Sequence, residues 1–319
     1  MPANITGIGT SWNLPNYAGE LFSSDQGQTP FLSMIGGLTG GLMTESDEFS
    51  TAVLFNNEQP TQPNISETAS VTAPPAKLIT REQKTNVVQI FQETVEMTYH
   101  KMATKGKLAG LNVAGQQANP PSEWDFQVAQ KLILIARQVE YTFWRGTYQK
   151  STAANVANRT RGILELAAAG TNIDADGDAL GKDLMDQLVL EMVTNGALLG
   201  NMVCFAPGKQ RQRITARYEN QVGYNAPAPR NIGGMSVTVL ENDFFSMGVV
   251  FEPYLPADTI AIVDMSVCAP VFLETPGKGV LFEEPLPSTG ANKRSQIYGE
   301  IGLDHGPAFA HGIITGLEA

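Results

Sequence analysis

Asp174-Ala-Asp-Gly-Asp178 is the segment whose residue types come closest to a metal site, since alternating carboxylates can surround a hard cation with oxygen. In a calcium loop of that kind, however, the glycine falls two positions later, and Met185 stands where a bidentate glutamate belongs. The spacing therefore favours a plain polar turn. His100, His305 and His311 are too scattered for a zinc site, and no His-Glu-x-x-His occurs, so they read as capped or surface side chains. Asp304-His305 would need a serine in a Gly-x-Ser-x-Gly turn to make a hydrolytic triad, and the chain has none. Gly7-Ile-Gly9 lacks the preceding strand and following helix of a dinucleotide loop. The basic run Lys209, Arg211, Arg213 and Arg217 suits a phosphate, an acidic group across a subunit contact, or a solvated helix face. The expectation is no catalytic centre, no cofactor and no metal.

With chemistry thin, the elements carry the information. Thr85 to Ala103 alternates for most of its length, with Val88, Ile90, Val95, Met97 and Tyr99 apolar among Gln89, Gln92, Glu93, Thr94, Glu96 and Thr98. This is the period of a half-exposed strand, and at about 3.3 Å per residue it is far longer than the strands of an ordinary domain. A strand of that length suits an arm or an intersubunit ribbon. Ahead of it, residues 44–84 read as an excursion. Phe49 to Phe55 is its outgoing strand, and the stretch to Pro75 is rich in Pro, Ser, Thr and Asn, as loops are. An isolated two-stranded ribbon is marginal in water, so it is expected to rest on a neighbour. Residues 1–43, apart from Phe31 to Ile35, read as an extended arm.

After a Gly/Asn-rich turn over 110–121 comes a long helix, Ser122 to Arg145. Ser122 is its N-cap, Glu123 and Asp125 favour its positive end, and Arg145-Gly146 closes it. Phe126, Ala129, Leu132, Ile133, Ala136, Val139 and Phe143 form the expected buried stripe. Leu132 to Ala136 is apolar all round, which suggests cover on two sides. Further on, 162–180 reads as a loop, 182–195 as a helix, 202–205 as a strand and 208–218 as a short basic helix. Residues 236–240, 246–254 and 259–264 read as strands. Cys204 and Cys268 lie in apolar runs and are expected to be buried free thiols.

The 319 residues suffice for one large or two small domains, and a net charge of −11 argues against a nucleic-acid-binding chain. No signal segment and no long apolar run is present, so a membrane is not expected as a partner.

Several blocks resemble the tailed-phage major capsid proteins of the Hong Kong 97-like fold, in family order. They are Thr29-Pro-Phe-Leu-Ser-Met-Ile-Gly36, Asn86-Val-Val-Gln-Ile-Phe91 with Glu96 to Ala103, and Arg137 to Trp144. The later ones are Arg161-Gly-Ile163, Met202 to Pro207 with Gln210 to Arg213, and Tyr298-Gly-Glu-Ile-Gly-Leu303 with Ala310 to Ile314. The match covers roughly residues 20–318. The resemblance implies an α+β subunit with an N-terminal arm (1–43), an extended loop (44–85) lying over a neighbour, a discontinuous peripheral domain (86–164 and 267–319) and an axial domain (165–266). It implies a major head protein that self-assembles into an icosahedral shell around phage DNA, with copies of itself in hexamers and pentamers as its partners. Double-stranded DNA is enclosed without sequence-specific binding. Separate scaffolding, portal and decoration proteins are further candidate partners, and no charged helical segment ahead of residue 20 suggests a fused scaffold. An encapsulin-type compartment, another virion protein and a small acidic hydrolase are the alternatives.

Some heads of this fold are welded by isopeptide bonds from a lysine in the extended loop. Residues 41–76 hold no lysine but do hold Glu45, Asp47, Glu48, Glu58 and Glu67. The expectation is a non-covalent shell. In it the acidic loop, with Phe49 and Phe55, meets Lys131, Arg137 or Arg145 on the long helix of an adjacent subunit.

Overall fold

The computed structural model describes residues 28–56, 60–73, 77–103, 123–219, 230–232, 235–241 and 244–318. The first half runs α1 (Pro30–Met34), β1 (Leu42–Thr44), β2 (Glu48–Phe55), β3 (Arg81–Val87), β4 (Gln89–Thr98), α2 (Tyr99–Ala103), α3 (Glu123–Arg145), α4 (Ile163–Ala168), β5 (Thr171–Asp174) and α5 (Lys182–Thr194). The second runs β6 (Met202–Ala206), α6 (Gly208–Glu219), β7 (Arg230–Ile232), β8 (Met235–Glu241), β9 (Ser246–Phe251), β10 (Ile260–Asp264), β11 (Ala269–Leu273), β12 (Leu281–Leu286), β13 (Asn292–Asp304) and β14 (Gly312–Thr315).

Three sheets result. β2 and β3 form an antiparallel ribbon with a bulge between Ser50 and Ala52. β13 is the backbone of a five-stranded sheet. β4 pairs along it from Asn292 to Ile301, β12 and β11 follow one another along its length, and β1 adds in parallel to β11. The seven-stranded sheet has the order β5-β14-β10-β6-β9-β8-β7. It therefore draws β14 from the C-terminal segment and sets it between β10 and the much earlier β5.

Alternation along β6 and β10 shows how this second sheet is filled. Val203, Phe205, Ala261 and Val263 face a core shared with α1, α3 and β13. Met202, Cys204, Ala206, Ile260 and Ile262 face the opposite core, which α5 closes with Met185, Leu188, Val189 and Met192. All of these strand positions are buried, as expected of a sheet covered on both faces. Cys204 and Cys268 are buried free thiols, and burial pushes the Cys204 thiol up to about 12.

Four expectations need correction. The long strand runs from Arg81 to Thr98, broken at Val88, and Tyr99–Ala103 turns into a helix. At the break Val88 N–H donates to the Asp47 carbonyl at 2.9 Å, and Val87 and Val88 are both buried. Past the break the phase changes: Phe91, Val95 and Met97 point inward, while Ile90 and Tyr99 are exposed. On α3 the buried apolar positions are Trp124, Ile135, Val139, Phe143 and Trp144, while Leu132 and Ile133 are exposed. An all-apolar stretch from 132 to 136 does not define a phase, and packing on β4 chose the i, i+4 ridge 135-139-143. The span 162–180 is not a loop throughout but contains α4 and β5, the latter paired with β14. Finally, His305 and His311 are neither capped nor on the surface but fully buried. His311 Nε2–H donates to the His305 carbonyl at 2.6 Å, and its Nδ1 accepts from Asp264 N–H at 3.3 Å.

The acidic 174–178 segment is a turn, in which Asp174 Oδ1 accepts Asp176 N–H and Asp176 and Gly177 take positive φ. The Ser122 cap, the turn over 110–121 and Gly7-Ile-Gly9 lie outside the described residues.

Candidate assembly surfaces

The base of the β2–β3 ribbon is held by one side chain. Asn86 is fully buried and uses its whole hydrogen-bonding capacity. Its Nδ2 donates to the carbonyls of Leu303 (2.8 Å) and Arg161 (3.3 Å). Its Oδ1 accepts from the N–H groups of Val87 (2.9 Å) and Arg161 (2.8 Å). Pro270 stands opposite Leu303 on β11 and has no N–H to offer that carbonyl, so the Asn86 amide supplies the donor. Thr160, also buried, donates its N–H to Gln89 Oε1 and accepts from Leu303 N–H, both at 3.3 Å. Three sequence blocks far apart in the chain, 86–91, 160–163 and 298–303, thus meet at one joint. Gly162 is required there because a Cβ would fall 2.7 Å from both Trp144 O and Gly146 N. Gly302 leaves room for the Phe49 ring, which a Cβ would meet at 2.7 Å.

Beyond this joint the excursion shows its apolar side chains to solvent. Val53, Phe55, Ile65 and Ile79 are more than half exposed, Val71 is 86% exposed and Leu78 is 92% exposed. Such a series on one short projection is expected to be covered in the assembled state.

The residues expected at the contact divide into two groups. Glu45 and Asp47 are exposed, and the Asp47 carbonyl accepts Val88 N–H. Glu48 accepts from Thr85 Oγ1 at 2.8 Å and pairs with Lys150. The Lys150 ammonium, with Thr85 adding to it, holds the Glu48 carboxyl below the usual range. Phe49 is half-buried against its own β13, whereas Phe55 is free of such cover. Glu58 lies outside the described residues. Lys131 is 2.8 Å from Glu93 Oε2. Burial would raise the Glu93 carboxyl, but Lys131 and Gln138 outweigh it and hold it low. Arg137 Nε donates to Tyr254 Oη at 3.0 Å, and Arg145 Nε donates to the Tyr254 carbonyl at 2.7 Å while lying over the Tyr141 ring. All three cations of α3 therefore have partners within the subunit, and an acidic group of a neighbour would have to share them.

Between β4 and α3 lies an open groove of about 400 Å³, lined by Ile90, Phe91, Arg137, Tyr141 and Tyr254 among others. Ile90 and Tyr141 give this groove an exposed apolar lining, and Leu132 and Ile133 are exposed elsewhere on α3. Sequence patterning assigned Ile133 to the core and so missed its exposure. The signal was the apolar run at 132–136, too wide for one stripe.

Lys209 and Arg213 of α6 face the chain's own C-terminal segment. Arg213 pairs with Glu318 at 2.6 Å and donates to its carbonyl at 2.7 Å, and buried Gln210 donates to the carbonyls of Ala257 and Glu318 at 3.0 Å each. Among the described residues no cluster of three or more His, Cys, Asp or Glu is placed to hold a metal ion, and no helix is long and apolar enough to cross a membrane.

Comparison with known proteins agrees with this geometry. Residues 4–318 match the sequence family described as SU10 major capsid protein. No curated protein sequence matches the chain. Among solved structures, the capsid of cyanophage A-1(L) superposes with a TM-score of 0.62 at 10% identity, over 99% of this chain and 100% of that one. The capsid of a native GTA particle gives 0.56 at 13% identity, over 98% and 96%. The holo-SrpI encapsulin of Synechococcus elongatus gives 0.54 at 11% identity, over 87% and 85%. At such identities the likeness is one of fold.

Proposed function

The chain belongs to the SU10 major capsid protein family, and from that premise we propose that the β2–β3 excursion and the outer side of α3 with β4 are the surfaces through which its copies close a head shell. The subunit is a structural protein of a virion capsid, and its work is association. A contact of modest strength, repeated in every subunit around closed rings, suffices for a stable shell.

The observation that carries the reading is the excursion itself. It is pinned at the Asn86 joint, and beyond that joint its apolar side chains lie bare. The exposed residues Phe55, Val71, Leu78 and Ile79 supply most of the contact energy, because exposed ion pairs are individually worth only about 0–1 kcal/mol and are screened by salt. Glu45, Asp47, Glu48 and Glu58 set the register against Lys131, Arg137 and Arg145 of the adjacent copy. Residues 86–164 and 267–319 form the peripheral part and 165–266 the axial part, the two joined through a core that both line and by β14, which lies in the seven-stranded sheet. The shell assembles in the host cytoplasm as hexamers and pentamers and encloses double-stranded DNA without reading its sequence. Scaffolding, portal and decoration proteins act as separate chains, and the subunit performs no catalysis.

The test is the assembly state of the purified full-length chain. Sedimentation velocity and negative-stain images should show closed shells of one size. Deleting residues 50–78 should leave a folded subunit that no longer closes them. A full-length chain that stays monomeric at high concentration would overturn the reading.

A further inference from the structure

Two acids lie in the core with no ion-pair partner among the described residues. Glu140, in the middle of α3, and Glu252, just after β9, are fully buried and face each other. Both oxygens of Glu140 are used. Oε1 accepts Phe31 N–H at 2.8 Å and Oε2 accepts Leu32 N–H at 2.7 Å. These are free N–H groups at the start of α1, whose own Thr29 side chain makes no cap. Glu252 Oε1 accepts Tyr254 N–H at 3.0 Å, but its Oε2 has no hydrogen-bond partner despite its burial. An orphaned buried oxygen beside a carboxylate is what a missing proton leaves behind. An O–H on Glu252 donating to Glu140 would satisfy it, and two adjacent carboxylates in a dry core cannot both be charged without a large penalty.

We propose that Glu140 and Glu252 share a single proton, carried on Glu252, and that this acid–carboxylate pair is a latch that keeps residues 30–34 of the N-terminal arm docked in the subunit. With the proton in place, one negative charge is compensated by the two arm N–H groups. Without it, two buried charges repel, and the arm is the element that yields. Glu140 is fixed within a long helix, and Glu252 N–H is bonded to the Ala206 carbonyl beyond the end of β9. The docked segment is only five residues, and glycines at 36 and 37 with positive φ follow it closely. It is held by the two N–H bonds and by Phe31, whose ring lies 5.0 Å from Trp144, 5.7 Å from Phe205 and 6.4 Å from Phe143.

The surrounding charges are few. Neither α1 nor β6 carries an ionisable group other than Cys204, which belongs to the opposite core. The nearby cations of α3, Arg137 and Arg145, donate to Tyr254. Burial pushes both acids up, Glu252 to about 10 because it also faces Glu140, and Glu140 only to about 7 because Glu252 and then the Leu32 and Phe31 N–H groups favour its charge. The Trp144 indole N–H, itself buried without a hydrogen-bond partner, favours the charged form of each. The proton is thus held at neutral pH and given up as the solution becomes alkaline.

Hydrogen exchange of the peptide spanning residues 28–36 tests this in the full-length protein, with Glu252→Gln as the control. The amide of that variant can donate to Glu140 but has no proton to lose. At about pH 7 the two proteins should protect Phe31 and Leu32 equally. At about pH 10.5 the wild-type amides should exchange about ten-fold faster than those of the variant. Equal rates at the alkaline pH would overturn the latch. If Glu252→Gln does not fold, infrared spectroscopy of the wild type decides. A buried carboxylic-acid carbonyl band at neutral pH that disappears on alkalinisation supports the shared proton, and its absence at neutral pH refutes it.

Discussion

Replacing Asn86 by alanine should detach the excursion from the subunit that aims it. The substitution removes two donors and two acceptors from a fully buried position. Val87 N–H adjoins the change and can adjust. The Leu303 carbonyl, opposite Pro270, and the Arg161 N–H are in rigid surroundings and are left bare. An unsatisfied buried group costs about 1–3 kcal/mol, and a small cavity adds to this. The expected loss is therefore about 3–5 kcal/mol, or roughly 10 °C in thermal midpoint for a chain of this size. Asn86→Asp keeps the shape and both acceptors but turns two donors into a carboxylate facing two carbonyls. It should be at least as damaging at neutral pH, and partly recover in acid, where the introduced carboxyl can donate once. The assay is thermal unfolding of dissociated subunits, with shell yield measured alongside. A midpoint within about 2 °C of the wild type for Asn86→Ala would show that the joint does not hold the ribbon.

Ile135→Ala should destabilise the subunit by about 2–5 kcal/mol, since Ile135 is fully buried. Ile133→Asp, two residues away and 42% exposed, should leave subunit melting nearly unchanged but depress shell yield; equal effects of the two on melting would refute the assigned faces. Burial pushes the His305 imidazole down to about 4, so it is neutral in the fold and charges first in the unfolded chain, near pH 6.5. Stability should then fall as pH drops from about 6.5 towards 4, by up to about 3 kcal/mol relative to a His305→Asn variant, and parallel denaturation curves for the two proteins across that range would exclude this. With no lysine between residues 41 and 76, particles boiled in denaturant should run as one band near 34.3 kDa, and a ladder of denaturant-resistant multimers would contradict a non-covalent shell.

Periodicity or a short apolar run was enough to find the ribbon, the long helix, α5, β6, β8, β9 and β10, but β5, β7 and β14 are three or four residues each and too short to show a pattern. It failed where the spacing was degenerate. Leu132 to Ala136 is apolar on every side of the helix, so only the packing against β4 could say that Ile135 turns in and Ile133 out. The ordered blocks around Asn86, Arg161 and Leu303 were visible as a resemblance, but their reason was not: the three converge through hydrogen bonds spanning 75 and 217 residues of sequence. Glu140 and Glu252 carried no sequence signal, since a buried acid and a surface acid look alike in sequence until the elements around them are packed. The same holds for His305 and His311, whose burial arises from a turn that brings their backbones and rings together between β13 and β14.

The continuity of β3 into β4 has a mechanical meaning. A neighbour tugging on the ribbon pulls along the chain, through the break at Val88, into a strand that pairs with β13 at ten successive positions. Antiparallel rungs lie across that line of pull, so they are strained together in shear instead of parting one after another as in peeling. β13 passes the tension to β11 and β12 on its other edge. If the ribbon grips a neighbour as proposed, the subunit acts as a tie-rod within the shell wall, with its stiffness in the long ladder and its compliance at the Val88 break beside Asn86.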